Sequence, residues 1–101
     1  MNKNYFTPEQ RAKIIADWVL GIRTVFVWCE VYGDKPADSL HHLFEQNKIT
    51  KRLYPEFIHH PDNILMVNLG NHLNRPIPHK DERWFCEHFK VEKRSKGAGG
   101  L

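Results

Sequence analysis

The stretch "ADSLHHLFEQ", residues 37–46, decides how the rest of the chain is read, because it sets two histidines side by side at the end of a short segment that has strand character. In extended backbone, successive side chains point to opposite faces. His41 and His42 then serve different sides of one sheet, one ring facing a bound metal and the other facing whatever approaches from the opposite side. The plain alternative is a pair of solvated loop residues, since the chain has 7 histidines in 101 residues and a second adjacent pair, His59 and His60. Other residues must complete a site at workable spacing before the pair means anything.

Upstream, "FTPEQRAKIIADWVLG" opens with Thr7 as N-cap, Pro8 at the first helical position and Gln10 three residues after the cap, a helix-start signature. Ile14, Ile15, Trp18, Val19 and Ile22 recur at helical spacing, and Gly21 is a stop signal. The following "TVFVWCEVY" fits a strand or a second helical stretch, and "YGDKPAD" is a turn-rich boundary, so residues 1–36 are expected to form an N-terminal helical, bracing unit.

Downstream, residues 43–62 read as a long connecting excursion around Pro55 and Pro61. "NILMV", residues 63–67, is a strand candidate; "NLGNHLNR" can open a helix, and Pro76 and Pro78 end it. The segment "DERWFCEHFKVEKR" places Trp84, Phe85, His88 and Phe89 on one helical face, with Lys90, Lys93 and Arg94 near the C-terminal end of the helix dipole. A C-terminal helix is assigned to residues 77–95 and a flexible tail to residues 96–101. No internal repeat is present.

Composition bounds the class. Hydrophobic residues at 41% and charged residues at 27% suit one globular domain spanning residues 1–101. Lys plus Arg exceed Asp plus Glu by 15 to 12, with the excess in the second half, where most of the histidines also lie; that balance favours an anionic partner. Cys29 and Cys86 stand far apart, so neither a disulfide framework nor a four-cysteine zinc site is indicated, and both read as buried free thiols. The start "MNKNYFTPEQ" has no apolar run of signal-peptide type, and no stretch approaches the roughly 18 apolar residues of a membrane span, so a cytoplasmic location without membrane contact is expected.

Taken in order, "LHHL", "HPDNILMV" and "NLGNHLNR" place a histidine pair on a strand, an asparagine opening a second strand and a histidine on a helix. This arrangement resembles the ββα-metal core of the HNH endonucleases. The resemblance covers roughly residues 37–76, with His42 and Asn63 separated by 21 positions and Asn63 and His72 by nine. It implies an α+β fold in which a two-stranded antiparallel hairpin and a helix are flanked by N-terminal and C-terminal helices. Many members carry paired cysteines of a zinc knuckle where this chain has Asn68 and Asn71, and position 76, where some have a further helical histidine, is proline. Without the knuckle, packing of the flanking helices, with the Trp18 and Trp84 stripes, is expected to supply the stability.

By that resemblance, His42 is the general base that activates water, and Asn63 fixes the loop and the orientation of His42 or, as in some members, binds the metal directly. His41 and His72 hold one divalent metal ion beside the scissile phosphate, and the activity is endonucleolytic cleavage or nicking of DNA. Neutral imidazole suits the base, with an ordinary pKa near 6.5. Two imidazole ligands favour Mn, Ni or Zn, whereas cellular availability favours Mg. Lys48, Lys51, Arg52 and Arg75 are the expected DNA-phosphate contacts, with Lys90, Lys93 and Arg94 as a second basic group. A lone core of this size suggests a phage or prophage origin and a bacterial or phage-infected cell. One site nicks one strand, so double-strand cleavage implies a homodimer or two sequential nicks.

The rival register, with His59 and His60 as the strand pair, leaves too little chain before Gly70 for a turn, a strand and a helix start, and it lacks a suitable asparagine. His59 and His60 therefore read as phosphate contacts or plain loop residues, and His79 as a further ligand or a solvated side chain. The competing function class is a non-catalytic DNA-binding or partner-binding module on a degenerate HNH fold. An unrelated helical protein with coincidental histidines is the third reading.

Overall fold

The computed structural model describes residues 3–95. The elements run α1 (Pro8–Val19), β1 (Ser39–His42), α2 (Lys48–Leu53), a 3-10 turn (Pro61–Asn63), β2 (Ile64–Val67), α3 (Leu69–Asn74) and α4 (Glu82–Phe89). The described residues thus form a small α+β protein with four helices and a two-stranded antiparallel sheet. The tail assigned to residues 96–101 lies outside the described residues.

Helix α1 begins as its sequence dictates. Thr7 Oγ1 accepts the Gln10 N–H at 3.1 Å and the Gln10 side chain accepts the Thr7 N–H at 2.9 Å, a reciprocal capping box with Pro8 behind it. The helix stops at Leu20, where Gly21 takes φ +80°. Of its apolar stripe, Ile14, Ile15 and Trp18 are buried, while Val19 and Ile22 remain exposed.

The strands pair Ser39 with Val67, Leu40 with Met66, His41 with Leu65 and His42 with Ile64. Directly opposed residues share a face, so the register divides the sheet into two sides. Ile64 and Met66, with Leu40, join Ile14, Ile15, Trp18 and Val27 in one core under α1. Val67 and Leu65 turn to a second core with Cys29, Ile77, Val31 and Tyr32. His41 therefore lies on the Leu65 side and His42 on the Ile64 side, opposite faces as strand geometry requires.

Residues 22–38 form neither of the regular elements expected for "TVFVWCEVY"; Trp28 and Pro36 make a single isolated bridge. This segment nevertheless completes the sheet. The Glu30 N–H donates to the Met66 carbonyl at 2.8 Å, and Glu30 Oε1 accepts the Met66 N–H at 2.8 Å, so one residue covers the free edge of β2. Arg11 from α1 then clamps Glu30 through Nε and Nη2 at 2.7 and 2.8 Å and donates to the Pro61 and Ile64 carbonyls. The N-terminal unit is tied by charge and hydrogen bonds to the turn that precedes β2.

The excursion between the strands holds α2, which begins at an Asn47 cap with Thr50 closing a capping box. Behind it, Phe44, Tyr54, Ile58 and Phe85 form a third core against α4. Helix α4 spans only Glu82–Phe89 of the residues 77–95 expected to be helical: Asp81 caps its start, and Lys90, in a left-handed conformation at φ 55°, ends it. Lys90, Lys93 and Arg94 therefore lie beyond the helix instead of in its last turn. Arg94 folds back onto Glu56 and the Leu53 carbonyl, each at 2.8 Å.

Asn68 and Asn71, where paired knuckle cysteines stand in many HNH proteins, belong to a polar cluster. Asn68 caps α3 and donates to the Pro36 carbonyl, Asn71 donates to Asp34 at 2.9 Å, and Arg75 binds both Asp34 and Asn71. The buried Cys29 thiol sits in the same cluster. Its burial raises the pKa, yet hydrogen bonding with the backbone of Tyr32, Asn68 and Val31 and the Asn71 side chain leaves it below the ordinary value. In this region the hydrogen bonds stand beside a small core of Cys29, Val67 and Ile77 in which neither α1 nor α4 takes part, whereas the sequence led us to expect packing of the flanking helices. Cys86 is only partly buried. Among the described residues, no helix is long and apolar enough to cross a membrane.

Candidate functional site

His41 and His42 end β1 at the rim of a cleft of about 330 Å³ that is also lined by Leu40, Glu45, Gln46, His72 and His79. Three parts of the chain converge there. β1 carries the histidine pair, α3 brings His72, and the segment after α3 returns when the Lys80 N–H donates to the Leu43 carbonyl at 2.8 Å, which places His79 beside the end of β1.

His41 is 7% exposed, and its ring stands edge-on to His72 and His79 at centroid distances of 4.7 and 4.8 Å. Its Nε2 lies 3.0 Å from the Pro78 carbonyl oxygen. A carbonyl can only accept, so the hydrogen is on Nε2 and the Nδ1 lone pair is free. A ring N–H held by a backbone carbonyl is the support that metal-bound histidines ordinarily have. Burial, with the neighbouring His72 and His79, holds the His41 pKa below its ordinary value despite the Pro78 hydrogen bond. A neutral ring at neutral pH is the form that can bind a metal.

The donor set of His41, His72 and the neighbouring His79 suits a borderline ion such as Zn or Ni better than the harder Mn or Mg. Among the described residues, no group of three or more His, Cys, Asp or Glu side chains is already arranged to hold a metal ion. The rings fit such an ion by the chemistry of their donor atoms.

His42, on the other face, is pushed down to a pKa of about 4, first by burial and then by His59, His41 and Lys51. Its Nε2 lies 2.9 Å from His59 Nδ1. His59 thus contacts His42 directly, a partnership that no local spacing in the sequence signals. His60 is separate: its Nδ1 accepts the Asp62 N–H at 3.0 Å and caps the 3-10 turn.

Asn63 is fully buried immediately before β2. Its Oδ1 accepts the Phe44 N–H at 2.8 Å, and its Nδ2 donates to the Phe44 and Ile58 carbonyls at 3.1 and 2.9 Å. The two bonds to Phe44 hold the loop that leaves β1 just after His42, the third ties that loop to Ile58 at the end of the excursion, and the side chain is turned inward among backbone groups.

Lys48, Lys51 and Arg52 are exposed on α2, and Lys51 is close enough to weigh on the charge of His42. Arg75 differs from them. Its guanidinium binds Asp34 and Asn71 and stacks 4.0 Å over the Tyr32 ring. Sequence reasoning missed Glu45 and Gln46 as cleft residues and His59 as the partner of His42; the first two had a signal in their closeness to His42, the third had none.

No protein-family model matches this chain, and no curated protein or solved structure matches it either.

Proposed function

We propose that the protein is a metal-dependent DNA endonuclease of HNH type, in which the β1–β2 pair and α3 act as a ββα-metal core. The observation that carries this reading is the meeting of His41 and His72 at 4.7 Å between ring centroids, in one cleft with His42. Residues from a strand and from a helix 31 positions later, 72 minus 41, come together around a space large enough for a phosphate group.

Phosphodiester hydrolysis requires an activated water, charge stabilisation at the phosphoryl oxygens and assistance to the leaving oxygen. His42 is neutral at neutral pH and accepts the proton of the attacking water. His41 and His72 hold the ion, with His79 beside them; when bound, the metal supplies charge stabilisation at the phosphate and the leaving oxygen. Asn63 keeps the Phe44 loop, and with it the end of β1, in one conformation. Lys48, Lys51 and Arg52 supply phosphate contacts along α2, which position a duplex without reading its sequence.

The test is conversion of supercoiled plasmid to open circle by wild type and His42→Ala with Mg, Mn, Ni, Zn and EDTA. Metal-dependent nicking by wild type alone supports the assignment, and accumulation of linear product at rising protein concentration would point to a homodimer. A folded wild type that is inert with every metal, yet binds DNA, removes the catalytic reading and favours a binding module on the same fold.

A further inference from the structure

His59 lies outside the cleft, yet its Nδ1 is 2.9 Å from His42 Nε2, with ring centroids 5.0 Å apart. Its place is set from both sides. Ile58, the preceding residue, is buried in the α4 core and its carbonyl accepts from Asn63 Nδ2, while the following His60 N–H donates to the Phe57 carbonyl.

One nitrogen of the pair must carry the shared hydrogen. If His42 donates, both rings are protonated on Nε2, the tautomer that an imidazole side chain prefers intrinsically. If His59 donates, both rings must be protonated on Nδ1, the less favoured form. The first arrangement is therefore preferred on both sides of the bond. It leaves His42 with an unprotonated Nδ1 on the one ring of the two that lines the cleft.

We propose that His59 is a positioning residue that holds His42 as its Nε2–H tautomer and so presents Nδ1 as the single proton-accepting atom of that ring. Its catalytic meaning rests on the role of His42 as general base; the locked tautomer can be measured without any cleavage. Without His59, His42 exchanges between tautomers and rotates, and only a fraction of molecules offer a base in the right place.

The experiment is a long-range ¹H–¹⁵N correlation of the histidine rings in the full chain at neutral pH with EDTA, for wild type, His59→Leu and His59→Gln. Wild type should show His42 with a protonated Nε2 and a bare Nδ1. His59→Leu should move both His42 nitrogens towards averaged values, and His59→Gln, whose amide oxygen can accept from Nε2, should restore the wild-type pattern. In the plasmid assay, His59→Leu should lower kcat roughly tenfold to a hundredfold with KM little changed, and His59→Gln should recover most of it.

A wild-type His42 protonated on Nδ1 overturns the proposal, and so does an unchanged His42 pattern in a His59→Leu protein whose circular dichroism shows it folded. If His59→Leu does not fold, the wild-type and His59→Gln spectra decide. Wild type that never cleaves, but shows the locked tautomer, removes the nuclease reading and leaves the His59–His42 relationship standing.

Discussion

Asn63 binds both ends of one residue: its Oδ1 takes the Phe44 N–H at 2.8 Å and its Nδ2 gives a hydrogen to the Phe44 carbonyl at 3.1 Å. A side-chain amide that pairs with a backbone N–H and C=O acts as one more rung of the sheet, extending the ladder beyond His42 to where the chain leaves β1. Asn63→Ala should strand buried backbone groups at Phe44 and Ile58 and lower stability by about 3 kcal/mol or more. Asn63→Asp keeps the acceptor but turns a carboxylate towards two carbonyls, and should do no better at neutral pH. Urea denaturation of both variants checks this; a loss under about 1 kcal/mol for Asn63→Ala would show that water replaces the amide.

The buried face of His42 predicts a pH dependence with a definite sign. Its folded pKa of about 4 lies below the ordinary 6.5, so the unfolded chain binds the proton more tightly. The associated stability is full above about pH 6.5, declines as pH falls towards 4, and is flat below that. In urea titrations with EDTA, wild type should lose stability between pH 7 and pH 5 more steeply than His42→Ala. Parallel curves would mean that the ring titrates normally. If cleavage is observed, its acid limb should likewise fall below pH 6.5.

Arg11 and Glu30 make a prediction about stability. The Glu30 side chain is only 4% exposed, bridges Arg11 and the Met66 N–H, and covers the β2 edge. Arg11→Met leaves that carboxylate buried without its cation and should cost about 3 kcal/mol. Glu30→Gln, which still accepts from Met66, should cost less. Thermal melts of the two variants separate a charge effect from a packing effect.

Metal binding should depend on His41 and His72 together. Calorimetric titration of Zn or Ni into wild type should show binding that His72→Ala weakens strongly, while the melting temperature of the metal-free variant stays close to wild type. Saturating metal at about a hundred times its dissociation constant should stabilise wild type by about 2.7 kcal/mol. Equal binding by wild type and His72→Ala would place the ion elsewhere.

The basic residues should divide into two classes. Replacing Lys48, Lys51 and Arg52 with Ala should reduce the salt dependence of DNA binding by about one unit of slope for each phosphate no longer neutralised, without destabilising the fold. Arg75→Ala should instead lower the melting temperature and leave the salt slope nearly unchanged, because its guanidinium is committed to Asp34, Asn71 and Tyr32. A salt slope that drops with Arg75→Ala would return that residue to the DNA-facing set.

What the sequence determined by itself was local. The Thr7 cap, the Gln10 box and Gly21 bounded α1 to within a residue or two, and the apolar run after Asn63 marked β2, because capping and alternation depend only on near neighbours in the chain. The opposite facing of His41 and His42 followed from strand geometry alone. Tertiary structure decided which side each ring serves. The pairing of His41 with Leu65 and His42 with Ile64 sends one ring towards α3 and the other towards His59, and a register shifted by one residue would exchange them. The same dependence on distant partners hid the edge cover by Glu30, the commitment of Arg75 to Asp34, and the arrival of His79 beside His41. Each of these pairings joins residues 30 or more positions apart, 30 to 66, 34 to 75 and 41 to 79, and so depends on how the cores close and not on any pattern along the chain.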